Sequence, residues 1–181
     1  LPCFITVSNM PATDENKIQK GNERVLRARL EDARFFYDED RKKSLEDFVE
    51  SLKGVVFQKK LGTIYEKVDR ITALAGILTS QICPTKETQV RRAARLSKAD
   101  LVSQMVFEFP ELQGIMGGYY AIHSGEEAEV AQAIKDHYRP AFAGDSLPSG
   151  ELGAIIAVAD KLDTIIGCTG VGLIPSGSED P

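Results

Sequence analysis

Histidine is almost missing from this chain: His123 and His137 are the only two in 181 residues, and tryptophan is absent. Neither belongs to a His-x-x-x-His or His-Asp pair, so a histidine-rich metal cage is excluded by supply. Cysteine is scarce too. Cys3, Cys83 and Cys168 lie far apart, without a Cys-x-x-Cys and in odd number. That argues against a zinc knuckle or a disulfide framework and suits a reducing, cytoplasmic setting, with each thiol expected as a buried small hydrophobe. No apolar run approaches the ~20 residues that cross a bilayer. The opening LPCFITVSNM lacks the basic lead and long apolar stretch of a secretory signal, so no membrane partner is expected. A Gly-rich phosphate loop is also missing. Positive charge is in deficit: the net charge is −5, so the surface as a whole does not attract nucleic acid and any RNA contact must come from a local patch. The chain does not open on Met and enters directly on strand-like residues. It reads as a piece of something longer.

What is there suffices for a packed domain. The chain is 43% hydrophobic and 27% charged, an ordinary globular balance at a length that buries a real core. PCFITVSN has strand density and a turn signal at Ser8-Asn9; a polar loop follows. From Asn22 the period becomes helical through Leu26, Leu30, Ala33 and Tyr37, and continues through Leu45, Phe48 or Val49, and Leu52 up to Gly54. After the short connector VVFQKKLG, the apolar residues Ile64, Val68, Ile71, Ala75, Leu78 and Ile82 predict a five-turn helix that Pro84 ends. Thr85 restarts a helix through Val90, Ala94, Leu101 and Met105, and Pro110 opens the next. Ser124-Gly-Glu-Glu127 has the pattern of a capping box for a helix through Ala131, Ile134 and Tyr138. Leu152, Ile155, Ala159, Leu162 and Ile166 mark the last helix. The expected fold is all-α: a compact helical bundle with a short N-terminal strand. Residues 1–21 read as strand and loop from a preceding domain, 22–168 as the helical domain, and 169–181 as an irregular tail.

Three features invite chemistry. Asp160 and Asp163, at i and i+3 in VADKLDT, share a helix face with Lys161 turned elsewhere. Such a pair serves acid–base or metal chemistry, or is held by a backbone amide or a cation such as Lys98. Arg91, Arg95 and Lys98 fall on one helix face with Arg92 beside them. From Ala99 to Ile134 there is no Lys or Arg but six acidic residues, a segregation that suits phosphate binding by the first segment. Arg24, Arg27 and Arg34 form a second basic patch. The run FEFPELQGIMGGYYA (107–121) carries Glu108 and Glu111 but no nucleophile or base nearby. Its apolar stripe of Leu112, Met116 and Tyr119, with Gly114, Gly117 and Gly118, reads as a closely packed helix and not as an active site. His137, near a helix C-terminus where the dipole favours imidazolium, is expected to touch backbone or Tyr138.

The segments FITVSN, GNERVLRARLEDARFFYDEDRK, VVFQKKLGTIYEKVDRI, LSKADLVSQMVFEFPELQGIMGGYYA, HYRPAFAGDSLPS and VADKLDTIIG together resemble the β subunit of the bacterial heterotetrameric glycyl-tRNA synthetase, over nearly the whole chain. The resemblance implies a central segment of a longer subunit that assembles with an α subunit as α2β2 and attaches glycine to tRNA(Gly). ATP and Mg belong to the parent enzyme, and no cofactor is implied for this stretch. It further implies similarity to HD-domain phosphohydrolases, all-α metal enzymes. The corresponding positions are Lys67, Lys98, Asp100, His137 and Asp160, and lysines stand where metal histidines would. The expectations are a non-catalytic domain without metal, supporting tRNA binding through Arg91, Arg92, Arg95, Arg24 and Arg27, and supporting assembly. The alternatives are a residual metal-dependent phosphohydrolase acting on a nucleotide or RNA phosphate, and a structural linker without RNA contact.

Overall fold

The structure is a computed structural model that describes residues 3–9 and 14–174. Eight α-helices follow in order: α1 (Glu15–Asp40), α2 (Leu45–Ser51), α3 (Ile64–Ile82), α4 (Glu87–Leu96), α5 (Gln104–Glu108), α6 (Ile115–His123), α7 (Ala128–Asp136) and α8 (Glu151–Gly170). Between α2 and α3 lies a small antiparallel hairpin of β1 (Val56–Gln58) and β2 (Gly62–Thr63). The all-α expectation holds.

Helix α3 forms as its sequence dictates. Thr63 Oγ1 accepts from the Glu66 amide at 3.3 Å, and the Glu66 carboxylate accepts from the Thr63 amide at 2.7 Å. This reciprocal cap satisfies two otherwise orphaned donors and contributes about 1 kcal/mol. The inner face of α3 (Val68, Ile71, Ala75) packs between α4 (Val90, Ala94) and α8 (Leu152, Ile156, Ala159), with Val130 and Ile134 of α7 closing the core.

Several expectations are corrected. Residues 3–8 are extended but form no strand, and the backbone of residues 3–7 joins no ladder among the described residues. The helix expected from Asn22 begins at Glu15, where Asp14 caps it. It then breaks after Asp40, and Ser44 restarts it with a capping box to Asp47. The helix expected from Thr85 to Phe109 is split into α4, a 3-10 turn at Ala99–Val102, and α5. Two contacts start α5 as a new helix: Ser103 Oγ caps it by accepting from the Val106 amide at 3.2 Å, and the buried Asp40 carboxylate accepts from the Gln104 and Met105 amides, each at 2.9 Å. Ser124 ends α6 and makes no capping box, and α7 opens after Glu127. The last helix reaches Gly170; residues 175–181 of the expected tail lie outside the described residues. Cys3 is exposed, and Cys83 and Cys168 are only half-buried, so none is the buried hydrophobe expected.

Candidate functional site

Lys67 sits one position before the buried Val68 on the inner face of α3, and it is only 4% exposed. Across from it, α8 presents Asp160, Asp163 and Thr164 at i, i+3 and i+4, one face of a helix. The Lys67 ammonium lies 2.9 Å from Asp160 Oδ1 and 3.0 Å from Asp163 Oδ2, and donates to Thr164 Oγ1 at 2.7 Å. Lys98, at the end of α4 and 3% exposed, donates to the other Asp160 oxygen at 2.5 Å. Arg70 completes the group: its Nε donates to Asp163 Oδ1 at 2.6 Å and its Nη1 to the Leu61 carbonyl at 3.0 Å. Two carboxylates and three cations thus bind α3, α4 and α8 together at the centre of the bundle.

Aromatic rings enclose both ammonium groups. Lys98 Nζ lies 3.7 Å from the Tyr138 ring centroid, and Lys67 Nζ lies 4.6 Å from that of Phe57, within cation–π range. Burial would raise the Asp160 pKa, but the charges of Lys98 and Lys67 more than offset it and hold the carboxyl at about 2. For Lys98 burial wins: it lowers the ammonium to about 8 despite the attraction of Asp160. Around neutral pH the pair is ionised on both sides.

Asp100 and His137 flank this cluster without joining it. Asp100 Oδ2 accepts from the Gly114 and Gly117 amides at 2.6 and 2.8 Å, while its Oδ1 has no partner among the described residues. Burial pushes its pKa up to about 6 against those two amides. His137 is fully buried, with Nδ1 2.5 Å from the Ile134 carbonyl and its ring 3.9 Å from that of Tyr138. The contacts to backbone and Tyr138 match the expectation; the imidazolium does not. Burial first, and then the Lys98 charge, lower the pKa to about 3, so the ring is neutral. With Nδ1–H donating to Ile134, Nε2 is an acceptor without a partner among the described residues.

These geometries decide whether a divalent metal suits the five positions that the HD resemblance assigns. An ammonium nitrogen has no lone pair to give. Both oxygens of Asp160 are engaged by ammonium groups, and Asp100 is turned onto the backbone of α6. The residues do not fit a metal. Among the described residues, no three His, Cys, Asp or Glu side chains are placed to hold one. An open cleft of ≈ 560 Å³ lies beside the cluster, lined by Glu111, Gln113, Tyr138, Asp160, Lys161 and Thr164 among others. It meets the network at Asp160 and Thr164.

The arginines of α4 also find carboxylates within the chain. Arg92 donates to Glu126 from both Nε and Nη2 and pairs with Glu46. Arg95 reaches Asp69 at 3.0 Å, Glu50 at 3.4 Å and the Tyr65 hydroxyl at 3.1 Å. Arg91 pairs with Glu87 at 2.8 Å. Lys98, grouped with them by spacing, points inward. Arg24 and Arg27 are different: both are exposed on α1 and make no ion pair among the described residues. The glycine-rich run packs as expected, though with Tyr120 and not Tyr119 facing inward; a methyl on Gly117 would stand 2.9 Å from Ile134. Glu108 and Glu111 are exposed. Sequence reasoning missed Arg70, Thr164 and the buried Asp40 and Asp136. The available signal was polar residues one helical turn from other buried positions.

Fold and site define a class: an all-α scaffold whose central polar site is closed by lysine–aspartate pairs, with no metal-holding group of His, Cys, Asp or Glu among the described residues. Comparison with known proteins makes this specific. The family model described as glycyl-tRNA synthetase beta subunit matches residues 1–181, and the chain belongs to that family. The glycine–tRNA ligase beta subunit of Trichlorobacter lovleyi is 60% identical over the whole chain, that of Geobacter sulfurreducens 59%, and that of Syntrophotalea carbinolica 55%. The chain spans 26% of the length of each of these relatives.

Proposed function

We propose that this chain is a non-catalytic, HD-like helical domain of a glycine–tRNA ligase beta subunit, supporting tRNA binding and subunit assembly in ATP-dependent synthesis of glycyl-tRNA. Its parent would act in the cytoplasm with an α subunit, as an α2β2 assembly, and the aminoacylation site with its ATP and Mg would lie on α. The observation that carries the non-catalytic reading is the Lys67–Asp160–Lys98 arrangement. In a hydrolase of this shape the centre must polarise a phosphate and activate a water. Here both oxygens of Asp160 are held by ammonium groups and Asp163 is shared between Lys67 and Arg70, so neither carboxylate is free to hold a metal or activate a water.

For tRNA, Arg24 and Arg27 offer the readiest contact, because their guanidinium groups are exposed and have no carboxylate partner among the described residues. Arg91, Arg92 and Arg95 would reach phosphate by exchanging a carboxylate partner for it. The test is a titration of the full-length beta subunit with tRNA(Gly) at two salt concentrations. Arg24→Glu with Arg27→Glu is expected to weaken binding and to flatten its salt dependence by about one ion per lost phosphate contact. Unchanged affinity and slope, in this variant and in an Arg91, Arg92, Arg95→Glu variant, would make the domain a scaffold without RNA contact.

A further inference from the structure

Helix α1 is about 39 Å long at 1.5 Å per residue, yet only its C-terminal part is fastened to the bundle. There Tyr37 stacks on Tyr120 at 5.8 Å, the Asp40 carboxylate accepts from the Tyr120 hydroxyl at 2.8 Å, and Arg29 lies over Phe109. The first four turns project. Ile18, Val25, Leu26 and Leu30 lie on one arc of the helix; Ile18, Val25 and Leu30 are exposed, and Leu26 is half-buried. Lys20, Arg24 and Arg27 occupy the opposite arc.

Residues 3–7 run along this apolar arc. Phe4 and Thr6 face the helix: Phe4 lines grooves with Ile18, Leu26 and Leu30, and Thr6 Oγ1 accepts from the Asn22 side chain at 3.3 Å. Ile5 and Val7 point the other way, each 93% exposed. That is the period-2 alternation of a strand with a helix on one face. The backbone amides and carbonyls of residues 3–7 make no hydrogen bond among the described residues. Open grooves of ≈ 560 and ≈ 670 Å³ remain between the segment and α1. A lone strand with unpaired edges and an apolar outer face is not a finished structure.

We propose that residues 3–7 are one strand of a β-sheet whose other strands come from the remainder of the same beta subunit, and that the projecting half of α1 is the helix covering one face of that sheet. The relatives supply the material, since 74% of their length lies outside this match. The filled grooves would bury Leu26 and Leu30 against neighbouring strands about 4.8 Å to the side. A second layer over Ile5 and Val7 would complete the sheet, while Arg24 would stay in solvent and Arg27 would lie at the rim of the filled groove. The inference rests on family membership and packing, and not on tRNA contact.

Amide hydrogen exchange of the full-length beta subunit tests it directly, without tRNA. Residues 4–7 are expected to exchange on the order of 100-fold or more slower than a free chain, equally at low and high protein concentration and without the α subunit. An Ile5→Pro variant that stays folded should raise exchange at the neighbouring strand as well as locally. Exchange at the free-chain rate in the unaltered subunit would overturn the proposal. So would protection that falls away on dilution, which would assign the pairing to a second copy, or protection that appears only with the α subunit.

Discussion

Replacing Asp160 with alanine removes the acceptor shared by two buried ammonium groups. Their losses differ. Lys67 keeps Asp163 at 3.0 Å and Thr164 at 2.7 Å, whereas Lys98 has no other carboxylate in salt-bridge reach among the described residues and keeps the Tyr138 ring and the longer-range attraction of Asp100. A buried charge stranded in this way costs about 3–5 kcal/mol. The cost is bounded because Lys98, already lowered to about 8 by burial, can deprotonate instead of remaining charged. For a chain of this length the melting temperature should fall by on the order of 10 °C, at roughly 2–4 °C per kcal/mol. Thermal unfolding of the purified chain at neutral pH is the assay. The companion Lys98→Met with Asp160→Leu removes both partners and should recover part of the loss. A drop of less than about 2 °C for Asp160→Ala, or a double variant worse than the sum of its singles, would refute the reasoning.

Acid stability follows from two buried groups of opposite sign. His137 has its pKa lowered to about 3 from 6.5, so its contribution is present above 6.5 and lost as pH falls toward 3. Asp100 has its pKa raised to about 6 from 3.8, so its contribution is present below 3.8 and lost as pH rises through 6. Between about 4 and 6 the two oppose each other. Asp100→Asn should therefore steepen the loss of stability on acidification in that window, as read from melting temperature against pH; an unchanged slope would refute it. Gly117→Ala places a methyl 2.9 Å from Ile134 and 3.1 Å from Asp100 Oδ2, and should destabilise by about 1–3 kcal/mol in denaturant unfolding. Glycine-dependent ATP–pyrophosphate exchange should be undetectable with this chain alone; finding it in a preparation free of α subunit would defeat the proposed assignment.

The sequence exposed those elements whose causes are local. Helix α3 was readable because five turns of apolar spacing, Thr63 and Pro84 all agree. The break between α4 and α5 was not, because the spacing from Val90 to Met105 runs straight through it. The new start is held by the Ser103 cap and by Asp40, 64 positions before Gln104 in the chain. The strand signal at CFITV is a local one that no neighbouring strand completes among the described residues. At the central cluster, the i, i+3 pairing of Asp160 and Asp163 and a cation at Lys98 were legible from spacing and charge. That Lys67 meets the same carboxylate across 93 positions depends on how α3 and α8 cross, which periodicity does not show. The pairing of Arg92 and Arg95 was hidden for a related reason. Their partners come from α2, from the turn before α7, and from α3, so the stripe looked free when only its own helix was considered.

The lysines at the centre of the bundle have a bearing on how such a domain behaves in a cell. A scaffold held together by a bound ion has a stability that rises and falls with the free concentration of that ion. Here the positive charge is carried on side chains tethered to α3 and at the end of α4, so its local concentration is set by the fold. Asp160 and Asp163 thus have their counter-charges built into the chain. In exchange, the centre becomes exposed to lysine chemistry. An acyl group added to Lys67 or Lys98 while the chain is unfolded would remove a charge that the two aspartates require, and the finished bundle would have no free ion to take its place.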